Sequence, residues 1–383
     1  MTEQEHDALR GLLGAWALRA CRPDEADELE RHLAACADCA EEAGQLRRAA
    51  GRLSADDPLD QPDGLRQQVL DFCLTRRAAG RPLASWAAPY AAETAKLDAL
   101  LRDLGRAEWQ EVAELPWHGG VLRLRPAEVL CHLAGVDALL APALGLPDPA
   151  APPPGRVPAQ GPPAHPFGTL LERGERLAAE HAGAPPQQVR QLWRDQSQAL
   201  LRQAVPQAGE RAVDYGFASL PVRDAFIDRA FETWMHGEDV ARAVAYPYAQ
   251  PSPSHLRQMV DLAARMLPGA LVGRRQAAYA GGGVPAGAGR TLRLVIEGPA
   301  AGQWLIPLDP PADGPTSGPA SGPTARPVAP AVSEPVAELV MDGVEFCQLA
   351  AAHRDPEHLP VGEYGDRAAI REVLSAVPLL SRP

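Results

Sequence analysis

The chain has 383 residues, 46% of them hydrophobic, enough for two or three domains with real cores. A net charge of −12 and a pI of about 5.4 argue against nucleic acid as a direct partner. No apolar run approaches the roughly 20 residues a membrane span needs, and the polar N-terminus does not read as a signal peptide, so no membrane partner and a cytoplasmic location are expected.

In chain order, residues 4–20 and 24–48 read as two helices. Pro23 followed by Asp24 and Glu25 is a start signal, with acids placed where a helix N-terminus favours them. Leu29, Leu33 and Ala37 continue an apolar stripe. Within the second helix lies His32-Leu-Ala-Ala-Cys36-Ala-Asp-Cys39, an H-x3-C-x2-C pattern. Residues i and i+4 share a helix face, so His32 and Cys36 point the same way. Imidazole and thiolate suit zinc, and a closed structural site needs four ligands. The best fourth is His6, on the preceding segment. The plainer alternative makes His32 a surface residue and the cysteines core fillers, but the histidine one turn before Cys-x2-Cys disfavours it. The other cysteines are too scattered for a disulfide scaffold; Cys73, Cys131 and Cys347 sit in apolar surroundings and read as buried fillers.

Ser54 to Asp63 carries turn signals, and Leu65 to Leu74 resumes a helical period. Residues 1–77 hold 16 acids against 10 arginines, net −6, which suits a basic partner or simply makes solvated helix faces. After a linker at 78–85 the chain reads as helical from Trp86 to about Tyr248. Helices are expected at Thr94–Leu104, Pro126–Leu144, Val189–Val205 and Pro221–Val244, with a Pro/Ala/Gly-rich loop from Gly145 to Pro166. Four long helices with unequal loops predict a four-helix bundle over 86–250. From Arg290 the period changes. Thr291–Glu297, Gly302–Leu308 and Val336–Met341 alternate like strands, and Val344–Ala352 and Arg367–Val377 read as helices. The Pro/Ser/Gly/Thr-rich tract between Asp309 and Pro335 is expected to be a disordered loop within a small α+β domain over 251–383. The expected fold is therefore mainly α with a C-terminal α+β part, behind a small zinc-binding helical domain at 1–80.

A second constellation lies in the expected bundle. Glu232 and His236 stand at i and i+4, and His132 stands amid apolar residues of another helix. Two ligands from one helix and one from a facing helix make an open three-ligand site, the arrangement of a substrate-binding rather than a closed structural metal. A buried histidine and a helix-surface pair are the bland alternatives. Asp239 is placed to orient His236 from behind, or to cap or face solvent.

Two stretches resemble known families. His6 to Glu42, with Leu12-Leu13-Gly14-Ala15-Trp16, Pro23-Asp24-Glu25-Ala26 and the H-L-x-x-C-x-x-C run, resembles the zinc-binding anti-sigma domain. His6, His32, Cys36 and Cys39 fall on its four ligand positions. The resemblance implies a structural zinc, and a sigma factor of the extracytoplasmic-function type as partner, clamped with the help of a separate helix such as Leu65–Leu74. Pro126-Ala-Glu-Val-Leu-Cys-His132-Leu-Ala-Gly-Val-Asp137 together with Glu232-x3-His236-Gly-Glu-Asp239 resembles the mycothiol-dependent maleylpyruvate isomerase family, whose bundle is DinB-like. That resemblance puts a second divalent metal on His132, Glu232 and His236 and implies mycothiol as a thiol cofactor. Around Leu115-Pro-Trp117-His118-Gly-Gly the chain departs from that family's Gly-Trp spacing.

Two functions compete. In the first, the chain is an anti-sigma factor that inhibits its sigma factor, with the isomerase-like bundle as sensor for a small thiol or other ligand. In the alternative, it is a mycothiol-dependent isomerase or thiol transferase with a zinc-binding regulatory head. The first is preferred from sequence, because a zinc head has a specific use in transcription control whereas bundles host many chemistries.

Overall fold

The computed structural model describes residues 3–53, 65, 68–70, 83–151, 167–278, 289–309, 326–327 and 334–382. The chain divides into two units, a head at 1–80 and a body at 81–383.

The head contains α1 (Glu3–Gly11), α2 (Leu13–Ala17), α3 (Pro23–Leu33) and α4 (Ala37–Leu53). The expected helix over 4–20 is broken at Leu12, whose amide donates to the Leu9 carbonyl in a tighter turn. Pro23 opens α3, and Glu25 reaches back to accept from the Arg22 amide at 3.0 Å. The helix expected over 24–48 is also broken, at Ala34 to Cys36. That break has a consequence for the cysteines: in one unbroken helix, His32 and Cys39 would stand seven residues and about 10 Å apart along the axis. Leu13, Leu29 and Ala43 form the head's buried core among the described residues, flanked by Leu9, Leu12, Trp16, Leu33 and Leu46. Leu65 and 68–70 are helical, and Leu65, Val69 and Leu70 are exposed; the rest of the expected 65–74 helix, Cys73 included, lies outside the described residues.

In the body, α5 (Ala88–Asp103), α6 (Pro126–Asp137), α9 (Pro186–Gln203) and α10 (Val222–Ala243) pack pairwise in a closed ring: α5 on α10, α10 on α6, α6 on α9 and α9 on α5. The expected helix 126–144 stops at Asp137, and a short α7 (Leu140–Ala143) follows. A further helix, α8 (Gly168–Glu180), lies along α6. Their backbones approach at Gly135 and Gly174, where a Cβ on Gly174 would stand 2.9 Å from the Cα of His132.

The stretch between Trp86 and Tyr248 is not wholly helical. β1 (Ala113–Trp117) and β2 (Gly120–Leu124) form an antiparallel hairpin, as do β3 (Ala212–Asp214) and β4 (Ser219–Pro221). Ala113 and Leu115 alternate inward on β1, a period of two that is too short to stand out beside the long helices. At the first hairpin's tip Trp117 folds over Gly119, leaving no room there for a Cβ, and Gly120 adopts φ +152°.

A 26-residue helix, α11 (Pro253–Ala278), joins the ring to the C-terminal sheet. The sheet has the order β7 (Arg326–Pro327), β6 (Gly302–Pro307), β5 (Thr291–Glu297), β8 (Ala337–Asp342), β9 (Gly362–Gly365). β5 runs parallel to β8 in register Leu292 to Ala337, and the other pairs are antiparallel. Leu292, Leu294, Ile296, Trp304, Ile306 and Leu339 turn one face inward toward α11, α12 (Gly343–Ala350) and α13 (Arg367–Ala376). Asp342 caps α12, its carboxylate accepting from the amides of Val344 and Glu345, and Asp366 caps α13 in the same way. One continuous core joins α10, α11 and the sheet, so the bundle and the α+β part share their buried residues within a single unit. Of the tract 309–335 the structure describes 309, 326–327 and 334–335, and Arg326–Pro327 pairs with β6; the remainder of the expected loop, and 152–166 of the other one, lie outside the described residues.

Candidate functional sites

In the head, the break before α4 turns Cys36 and Cys39 back toward α1. One ligand atom from each of His6, His32, Cys36 and Cys39 lies within 4.8 Å of all the others. His6 Nε2 stands 3.2 Å from Cys39 Sγ and 3.7 Å from Cys36 Sγ, and the His6 and His32 rings are 5.1 Å apart. Zinc bonds of about 2.3 Å to sulfur and 2.0 Å to nitrogen, at the tetrahedral angle, put S and N about 3.5 Å apart. The observed separations bracket that value. His32 Nε2 is buried without a hydrogen-bond partner, which is expensive unless something else coordinates it. Burial pushes the Cys39 thiol up, while the Cys39 amide and His6 draw the Cys36 thiol down. Two nitrogens and two sulfurs in this arrangement fit a closed structural zinc.

In the body, α6 and α10 face each other and bring three side chains together. His132 is 4% exposed, Glu232 7% and His236 4%. The His132 and His236 rings stand 5.3 Å apart, and Glu232 Oε2 lies 3.3 Å from His236 Nε2. This set is more open than the head's: His236 adjoins each of the other two. Both ring nitrogens of His236 are buried with no hydrogen bond of good geometry. Burial opposes its protonation, but the carboxylates of Asp239 and Glu232 overcome this and hold it up to about 9. Burial, with His236 and Arg229 nearby, drives His132 well below the usual imidazole range. His236 thus stands between two carboxylates with a neutral His132 imidazole beside it, side-chain types that divalent metals take as ligands, but among the described residues only the head's four gather closely enough to hold an ion as they stand.

Asp239 backs His236 as the sequence suggested, with Oδ2 3.5 Å from Nδ1. Its other oxygen faces His353 Nε2 at 2.8 Å, a link from α10 to the turn after α12 that no sequence spacing announces. Arg382, next to the C-terminus, was also missed. The amide of His118 at the hairpin tip donates to Ser381 Oγ at 2.8 Å, and Arg382 then extends inward. Its guanidinium pairs with Asp228 and lies 3.8 Å from Glu232 Oε1. Tyr215 donates to the same Asp228 at 3.0 Å. Asp228 stands one helical turn before Glu232 on the same helix, which is the one local signal that a further charged partner could sit there.

Behind these residues Arg229 Nε donates to Asp137 at 2.7 Å, and Tyr90 donates to the other Asp137 oxygen at 2.7 Å. This buried set ties α5, α6 and α10 together and fixes the facing of His132 and His236.

Comparison with known proteins bears on the same residues. The match is to the family described as Mycothiol maleylpyruvate isomerase N-terminal domain, over residues 90–241. His132, Glu232 and His236 all fall inside it, and the head falls outside it. Crystal structures of the mycothiol-dependent maleylpyruvate isomerase and of a histidine-to-alanine mutant of it are similar at 17% identity. Each comparison covers 74% of this chain and 93% of that one, with TM-scores of 0.40 and 0.39. No curated protein matches the chain. Among the described residues no helix is long and apolar enough to cross a membrane.

Proposed function

We propose that the body is a divalent-metal-dependent domain of the isomerase or thiol-transferase class that works with mycothiol, and that the head is a zinc-bound regulatory module. The observation that carries the reading is the burial of His132, Glu232 and His236 side by side, with a carboxylate facing each His236 nitrogen, inside the family-matched segment. A divalent metal held there supplies a lowered thiol pKa, so that a nucleophilic thiolate is present at neutral pH. The chain's own groups prepare the place. Arg382 holds Glu232 from the Oε1 side and leaves Oε2 toward His236. Asp239, steadied by His353, fixes the far side of the His236 ring. The test is metal content together with mycothiol-dependent conversion of maleylpyruvate and of other unsaturated electrophiles. Stoichiometric metal in the body, and thiol consumption or isomerisation lost in His132→Ala and His236→Ala, are expected. A full-length preparation that folds, binds no metal at the body and shows no thiol chemistry overturns the reading.

A second reading keeps the same head and gives it a partner. The four-ligand cluster of His6, His32, Cys36 and Cys39 favours an anti-sigma factor whose head binds a cytoplasmic sigma factor, with the body as ligand sensor. Co-purification of the full chain with a candidate sigma factor, abolished by Cys36→Ser with Cys39→Ser, is the outcome that reading requires.

A further inference from the structure

A half-open cleft lies beside Glu232, with a cavity volume of about 30 Å³ and the rest of its space open to solvent. It lies between α10, α11, the end of α12 and the C-terminal strand of chain that carries Arg382. Its composition is lopsided. Asp228, Glu232 and Arg382 make one polar end. The rest of the wall is apolar, with Phe231, Met259, Leu262, Ala263, Met266 and Leu380 turned toward the space. The charges at the polar end are already engaged with one another: Arg382 faces two carboxylates, and the Tyr215 hydroxyl donates a hydrogen bond to Asp228. A small dicarboxylate entering here would find a single arginine already paired, and two acids repelling it. An apolar group would find side chains that cost nothing to desolvate, two of them methionines that adapt to varied shapes.

We propose that this cavity takes the apolar part of the body's substrate, an alkyl or aryl group, so that the substrate class is a hydrophobic electrophile rather than a small diacid. The substrate assignment rests on the metal-dependent thiol chemistry proposed above; the apolar occupancy does not. The reacting carbon would sit at the Glu232 end, next to the thiol, with its hydrocarbon portion lying along α11.

Linear alcohols from butanol to octanol test the occupancy, because they need neither metal nor thiol. Calorimetric titration of the full chain is expected to show affinity rising about four-fold per methylene. The His132→Ala, His236→Ala double variant is expected to keep that series, which separates this result from failure of the metal reading. Ala263→Leu, which fills the space from α11, is expected to weaken octanol binding at least ten-fold, and Ala350→Leu, from α12, gives an independent filling variant should the first not fold. In turnover, electrophiles with longer alkyl groups are expected to show lower KM in the native chain but not in the filled variants. No dependence on chain length, octanol binding unchanged by both filling substitutions, or displacement of octanol by maleate would each overturn the proposal.

Discussion

Arg229 is 2% exposed and Asp137 is fully buried; Arg229 Nε and the Tyr90 hydroxyl each donate to one Asp137 oxygen where water cannot reach, while Arg229 Nη2 is left without a hydrogen bond. Removing one partner leaves a charge stranded, which costs about 3–5 kcal/mol, whereas taking the whole pair out costs far less. Arg229→Met is therefore expected to lower body stability by about that amount in urea titration, with Asp137→Leu added to it recovering part of the loss. Tyr90→Phe removes one hydrogen bond to a charged group and is expected to cost about 1.5–3 kcal/mol. If Arg229→Met unfolds at the native midpoint, the pair is not holding these helices. At this scale the sequence was legible where chemistry follows chain spacing. His32, Cys36 and Cys39 announce themselves within eight residues, and Glu232 with His236 within five. His353 on Asp239 and Arg382 on Asp228 are more than a hundred residues from their partners, and neither carries a local pattern.

At the scale of elements, the seat of His132 depends on how closely α8 approaches α6. A Cβ at Gly174 would meet the His132 Cα at 2.9 Å, a backbone contact that no rotamer change relieves, and would also press on the His132 ring, 3.4 Å from Nδ1. Gly174→Ala is expected to push α8 outward at a cost of about 1–3 kcal/mol. It should also weaken metal binding at the body, because the His132 ring moves with its backbone, while Gly183→Ala, which meets nothing, should do neither. Equal metal affinity in the two variants would show that α8 does not set the ring. The long helices of the ring were readable because their apolar positions keep a period near 3.6. α8 was not, since it directly follows a tract rich in proline and glycine. α11 was not, because Pro268 lies inside it and Gly269 and Gly273 follow, residues that argue against helix from sequence. Burial of Leu256, Val260, Ala264, Leu267 and Leu271 along one stripe overrides that local preference.

At the scale of the whole molecule, the two units are unequal in how they are held. The body buries large cores in which helices and sheet share residues. The head's core among the described residues is Leu13, Leu29 and Ala43 with a half-buried fringe, too little apolar surface to stabilise a domain of its size alone. Its second resource is the set of four ligands, which join α1, the end of α3, the following turn and the start of α4. Metal binding at such a site is folding free energy, because no preformed set of ligands exists in the unfolded chain. Calorimetry of the full chain is therefore expected to resolve two transitions. Cys36→Ser with Cys39→Ser should abolish the head's transition and leave the larger one at its original temperature. The His132→Ala, His236→Ala variant should do the reverse, shifting only the larger transition when metal is supplied. A head transition that survives complete zinc removal would mean that the head's apolar core suffices and that the four side chains were gathered for something other than holding the fold together.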